Sequence, residues 1–184
     1  VGDATDIESV LEVAYAVRGP VYIRMLRGSV PRLFDSPMSL DRVRVLSRGD
    51  DIAIFSSGIC TAEAVRARRA IEDAGLSVTH VHVSTLKPFN DPQIDDVLRS
   101  VSKSIYTVEN HNIIGGLGTA VAERMAQLGG TAPLKRSGIP DTFAHGASAE
   151  FLMRKFGIDA RGIVDRIAAD LGRDIPISDE ELAA

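Results

Sequence analysis

Apolar positions along this chain switch repeatedly between two spacings, and the switches mark out helices and strands. From Asp6 to Val17, Ile7, Val10, Leu11, Ala14 and Tyr15 fall on one side of an amphipathic helix, with Thr5 or Asp6 as the capping candidate. Gly19-Pro20 breaks that pattern, and Val21 to Met25 reads as a strand. A single helix and strand cannot cover both of their faces, so this opening unit (residues 1–31) predicts a sheet supplied from elsewhere. Prolines, serines and Asp35 give residues 32–41 the look of a linker.

Arg42 to Ser47 alternates charged and apolar residues, as an edge strand with one wet face does. Asp51 to Ser57 is a nearly unbroken apolar run suited to a central strand. Gly49-Asp50 joins the two too tightly for a helical crossover, which predicts an antiparallel pair. Ser56-Ser57-Gly58 leads into a helix that begins at Ile59 or Thr61, runs to Ala74 and stops at Gly75. Leu76 to Leu86 is the next strand. Asp91 then caps a helix with Pro92 in its first turn and Ile94, Val97, Leu98 and Val101 facing inward.

The chain is organised around Ile105 to Met125. Ile105, Tyr106, Thr107 and Val108 form a short buried strand, followed at once by polar Glu109, Asn110 and His111. Gly115, Gly116 and Gly118 sit where that strand gives way to a helix carrying Leu117, Val121, Met125 and Leu128. In an open parallel sheet such corners lie at the carboxyl ends of the strands, where ligands are received. Pro133 to Gly138 is a weaker last strand and Ile139 to Gly146 a loop. Ser148 caps a helix to Phe156, and Asp159 caps another from Ala160 to Leu171. Residues 42–172 thus form one domain, and 173–184 read as a mobile tail or oligomer arm. The alternation predicts a three-layer α/β fold: a mostly parallel five-stranded sheet with one antiparallel edge strand and helices on both faces.

Chemistry narrows the picture less than pattern does. Gly115-Gly-Leu-Gly118 is not the spaced dinucleotide fingerprint and no Lys-Ser/Thr follows it, so it is a poor phosphate cradle. A net charge of −4 over 184 residues, with no basic cluster interleaved with aromatics, argues against nucleic acid as a partner. No apolar run approaches membrane-spanning length and no basic-then-apolar leader opens the chain, which predicts a cytoplasmic protein. Cys60, the single cysteine, cannot form an internal disulfide, and four scattered histidines make no zinc spacing. His80 and His82 share one face of a strand and read as structural. The chain opens at Val1 rather than Met, as a fragment or a processed product would.

Four stretches in order resemble the carboxyl-terminal part of transketolase, above all the form encoded as a separate C-terminal subunit. They are Gly19-Pro-Val-Tyr-Ile-Arg-Met-Leu-Arg-Gly28, Gly49-Asp-Asp-Ile-Ala-Ile-Phe-Ser-Ser-Gly58, Thr107-Val-Glu-Asn-His-Asn-Ile-Ile-Gly-Gly-Leu-Gly118 and Ile139-Pro-Asp-Thr-Phe-Ala-His-Gly146 before Phe156-Gly-Ile-Asp159. Deoxyxylulose-phosphate synthases and the beta subunits of 2-oxo-acid dehydrogenases are similar in the same region. The resemblance covers about Asp3 to Gly172. It implies part of a thiamine-diphosphate enzyme that moves a two-carbon ketol unit between sugar phosphates, with the cofactor held between domains of two protomers.

The Gly-Asp-Gly motif that holds Mg, its downstream Asn and the carboxylate that polarises the aminopyrimidine are expected upstream, because Gly2-Asp3 is followed by Ala4. The resemblance therefore implies that this chain alone binds neither thiamine diphosphate nor Mg, and that its partners are thiamine-binding N-terminal domains or a subunit, within a homodimer. It further implies that Arg27, in Arg27-Gly28-Ser29-Val30-Pro31, binds the sugar phosphate; Gly28 stands where many transketolases carry Gln. Arg24 is the second candidate, turned to the opposite face if Val21 to Met25 is a strand. Ser57, Gly58, Glu109, Asn110, His111, Gly115, Gly116 and Gly118 become interface residues, with Glu109 and His111 buried by a partner. Helix N-termini after Gly58 and Gly118 are the alternative, as anion sites. A non-catalytic docking module, of the kind the dehydrogenase beta subunits use, is the other functional reading.

Overall fold

The computed structural model describes residues 1–25 and 28–183. Asp3, rather than Thr5 or Asp6, opens the first helix, α1 (Ala4–Ala16), its Oδ1 accepting the Asp6 amide at 2.8 Å. Its Oδ2 accepts the amides of Leu33 and Phe34, both at 2.8 Å, so one carboxylate starts the helix and pins the segment expected as a linker. Thr5 donates instead to the Phe34 carbonyl at 2.7 Å, and Asp6 turns inward. Val21 to Met25, expected as a strand, makes no ladder among the described residues. A strand exists only against a neighbour, and the described part of the sheet ends elsewhere.

Among the described residues five strands form one sheet: β1 (Arg44–Ser47), β2 (Ile52–Ser56), β3 (Val78–His82), β4 (Ser104–Asn112) and β5 (Leu134–Ile139), in the order β1-β3-β2-β4-β5. All pairs are parallel except β1 with β3. The mixed α/β sheet with one antiparallel edge strand is therefore as the sequence predicts, but the partner of that edge strand is not. β1 was expected beside β2, yet β3 lies between them. The short link passes over the start of β3: Gly49 N–H donates to Thr79 Oγ1 at 2.9 Å, and the Asp50 and Asp51 amides donate to Ser77 Oγ. The crossing demands glycine, since a Cβ on Gly49 would run into the Ser77 and Val78 backbone. Strands about 4.8 Å apart leave a two-strand step within reach of so short a link.

Helices α2 (Cys60–Asp73) and α6 (Ala160–Leu171) cover one face of the sheet and α3 (Pro92–Ser100) and α4 (Leu117–Leu128) the other. Alternation along β2 divides the core accordingly. Ile52 and Ile54 pack with Ala64, Ala67 and Ala70 of α2 and Ile163 and Ile167 of α6. Ala53 and Phe55 pack with Ile94, Val97 and Leu98 of α3 and Leu117 and Val121 of α4. α5 (Ala149–Lys155) precedes α6, capped by Ser148 as expected. The segment expected as a mobile tail instead folds back: Ile175 is buried, and Ile177 and Leu182 pack against the α2 and α6 core, with α7 (Asp179–Ala183) closing the described chain. Its apolar residues are too sparse to show a period, which hid this packing from a pattern reading.

Candidate functional site

β2 is the first parallel strand, and the chain goes from it to β3 on one side while β4 joins on the other. The carboxyl ends of β2 and β4 thus flank a point where strand order reverses, which in open α/β sheets leaves a crevice. Gly58, after β2, takes the left-handed conformation with φ 56°, and a Cβ there would come within 2.9 Å of Asn110 Oδ1. Ser57 N–H donates to the Val108 carbonyl at 3.2 Å, tying the two strand ends together. Over this corner lies a groove of about 270 Å³ lined by Val1, Arg24, Met25, Gly58, Ile59, Asn110 and His111. Arg24 reaches it because residues 21–25 are not held to a ladder, so strand alternation does not turn the side chain away. Arg27 lies outside the described residues.

The two helix N-termini at the corner differ. α2 has Ile59 at its N-cap position and no side-chain cap. The amides that open α4 are met by Glu109: Leu117 N–H donates to its Oε2 at 2.7 Å and Gly118 N–H to its Oε1 at 2.8 Å. A carboxylate here answers both the free amides and the positive end of the helix dipole. Glu109 was expected to be buried by a partner, with an anion at the Gly118 end as the alternative. Instead Glu109 is 2% exposed within this chain and is itself the anion. A Cβ on Gly116 would fall on that carboxylate, which is why glycine stands there, and one on Gly118 would come within 2.7 Å of Arg136 Cδ. Gly115, in a left-handed turn, has open space around it. Asn110 and His111 are exposed and face the groove.

A buried polar chain beneath the corner was not legible as a unit. Asp6 on α1 accepts Arg44 Nη1–H at 2.8 Å and the Gly2 amide at 2.8 Å. Burial acts to raise the Asp6 carboxyl, and His82, the Gly2 amide and Arg44 together pull it well below the usual carboxylate range. Phe34 lies against the His82 ring, with centroids 4.7 Å apart, and the Arg44 guanidinium sits 4.1 Å over Phe34. His80 is driven down to about 3 by burial, with Arg68 and His82 acting in the same direction. His82 is also lowered by burial, against the pull of Asp6. Burial pushes the Cys60 thiol up, with Glu63 and Glu109 adding to it, so Cys60 is a packed side chain and not a nucleophile. The sequence signals for this network were Asp6 in a helix otherwise apolar on its inner face and two histidines alternating in a buried strand.

The groove offers Arg24, Asn110 and His111, donors suited to an anion. They do not suit a magnesium-bound diphosphate: the one carboxylate at the corner, Glu109, is engaged by α4, and among the described residues no three His, Cys, Asp or Glu side chains converge.

Residues 41–163 match the family model described as "Transketolase, C-terminal domain". The chain is 30% identical over 171 residues to a putative transketolase C-terminal section of Methanocaldococcus jannaschii, covering 91% of this chain and 53% of that protein. It is 34% identical over 166 residues to a 6-deoxy-6-sulfo-D-fructose transketolase subunit of a Clostridium species, covering 88% of this chain and 50% of the relative. Among solved structures, a split-gene transketolase described as an inactive beta4 tetramer superimposes with a TM-score of 0.83 at 32% identity, covering 93% of this chain and 56% of that one. The chain spans about half the length of these relatives. It belongs to the transketolase C-terminal domain family.

Proposed function

We propose that the intact protein is a thiamine-diphosphate-dependent transketolase that moves a two-carbon ketol unit from a ketose phosphate to an aldose phosphate. This chain would be its C-terminal part, serving assembly and binding of the substrate phosphate. The observation that carries the reading is the grouping of Arg24 with Asn110 and His111 over the opening between β2 and β4. A guanidinium forks onto a phosphate through two parallel hydrogen bonds, and an asparagine amide and an imidazole add donors beside it. Arg27 stands three positions along and is the second arginine to test.

Assembly is supported by the apolar surface of α1 and residues 21–25, where Leu11 is 63%, Tyr15 94% and Tyr22 89% exposed. Large apolar side chains left this exposed on two adjoining segments fit a surface that another unit covers. We assign that unit to the thiamine-binding portion, which would carry thiamine diphosphate and Mg, within a homodimer. Among the described residues no helix is long and apolar enough to cross a membrane, and we place the enzyme in the cytoplasm.

The test mixes the chain with its thiamine-binding half and assays ketol transfer from xylulose 5-phosphate to ribose 5-phosphate. Restored activity is expected, with KM for the phosphorylated substrates raised at least about tenfold in Arg24→Ala or Arg27→Ala and kcat largely kept. Failure to complement, or capture of an acyltransferase scaffold instead, would sink this reading and favour a docking module.

A further inference from the structure

Five polar side chains cross the interior in a line that the groove does not use: Asp6 of α1, His82 and His80 of β3, Thr61 of α2 and Ser56 of β2. None is more than 1% exposed. His82 Nδ1 lies 2.7 Å from Thr61 Oγ1, Thr61 Oγ1 lies 3.0 Å from Ser56 Oγ, and Ser56 Oγ lies 2.8 Å from His80 Nε2. At one end, His82 Nε2 faces Asp6 Oδ2 at 3.7 Å, too far for a hydrogen bond but near enough for the carboxylate to attract an N–H and repel a lone pair. At the other end, His80 Nδ1 has no hydrogen-bond partner among the described residues.

These two ends leave one consistent order of donation. With the proton of neutral His82 on Nε2, toward Asp6, its Nδ1 must accept from Thr61. The Thr61 hydroxyl then accepts from Ser56, and Ser56 accepts from His80 Nε2–H, leaving a bare lone pair at His80 Nδ1 and a His82 N–H held only by the attraction of the carboxylate 3.7 Å away. Reversing the order puts a lone pair against the Asp6 carboxylate and strands an N–H at His80 Nδ1 in an apolar interior, the costlier orphan. Ser56 and Thr61 also bracket the turn through Ser57 and Gly58, and the Thr61 amide donates to the Gly58 carbonyl at 3.2 Å.

We propose that Asp6 sets a single direction of donation through His82, Thr61, Ser56 and His80, and that this chain ties the seating of α1 to the conformation of the Ser57–Gly58 turn. The residues act by positioning, and the inference holds whether or not the groove takes a sugar phosphate. Seating of α1 against another unit would then be felt at Gly58 through hydroxyls and rings, without a backbone displacement in the sheet.

Long-range nitrogen–proton spectra of the full chain at neutral pH test it directly. Both His80 and His82 are expected as the Nε2–H tautomer, and an Nδ1–H ring at either position overturns the proposal. Asp6→Asn is expected to release the fixed His82 tautomer and to move the Ser57 and Gly58 amide resonances, and adding Thr61→Val is expected to abolish that movement. Unmoved turn amides in a folded Asp6→Asn protein overturn the coupling. Thr61→Val alone, which serves if Asp6→Asn does not fold, is expected to keep His82 as Nε2–H while His80 populates both tautomers; an unchanged His80 counts against the chain.

Discussion

Glu109 and Gly118 stand nine positions apart and meet across the strand-to-helix corner, the Gly118 amide donating to the Glu109 carboxylate at 2.8 Å. With the Leu117 amide on its other oxygen, this acid does for α4 what a capping residue does from within the chain's own turn. Glu109→Ala strips both buried amides of their acceptor and is expected to destabilise the protein by roughly 2–4 kcal/mol. Urea unfolding checks this, with His111→Ala as a control expected within about 0.5 kcal/mol of the parent because its side chain is exposed.

Gly115 and Gly116 are glycines for different reasons, and substitutions separate them. Gly115 has φ 79° and open space, so Ala there costs about 1–2 kcal/mol from backbone alone and Asn, which tolerates that region, recovers part of it. Gly116 has an ordinary φ of −95°, and its cost is the Glu109 carboxylate in the way of a Cβ. Ala and Asn at 116 are both expected to cost about 1–3 kcal/mol or more, with no relief from Asn, as read from thermal or urea midpoints.

Acid should weaken the fold well before its carboxylates titrate. His80 is neutral when folded, its value lowered by burial to about 3 from an ordinary 6.5, so the unfolded chain binds one more proton between those values. The stability it contributes is complete above about pH 6.5 and declines as pH falls, by up to about 1.4 kcal/mol per unit. From pH 7 to 5 a loss of about 2 kcal/mol is expected from this ring, with buried His82 adding in the same direction. Asp6, held below the usual carboxylate range, loses its contribution only at lower pH and adds nothing to that slope. His80→Gln should flatten the profile; a parent protein equally stable at pH 7 and 5 would refute the assignment.

The Arg44–Asp6 pair is nearly closed to water, with side chains 15% and 0% exposed. Removing one partner of such a pair leaves a buried charge short of donors, so Arg44→Ala is expected to cost roughly 3–5 kcal/mol. Arg44→Lys should recover only part, because an ammonium cannot also lie flat over Phe34 and reach the Ser36 carbonyl.

Much of this architecture was legible because its signals are local. The Asp91 and Asp159 caps, the unbroken apolar run through Ile52 to Phe55 and the glycine stops at 75 and 172 each depend on a few neighbouring residues. What stayed hidden depends on residues far apart. The Gly49 crossing is set by Ser77 and Thr79, the Asp3 cap by where Leu33 and Phe34 end up, and the role of Glu109 by the path of the chain from 110 to 116. At the candidate groove the polar residues could be named in advance, but nothing local says that Arg24 would meet Asn110 and His111. An apolar period reports which face is inside, and it is silent on which strand sits next to which.

The place of β3 between β1 and β2 also decides what β1 can dock on. Ser47 bonds to Val78, 31 positions ahead, so β1 has no strand to dock on until β3 has come back beside it. We expect β1 to join that central parallel unit last, so that Val45→Ala speeds unfolding more than it slows refolding in stopped-flow urea experiments; the reverse would place β1 in the folding nucleus.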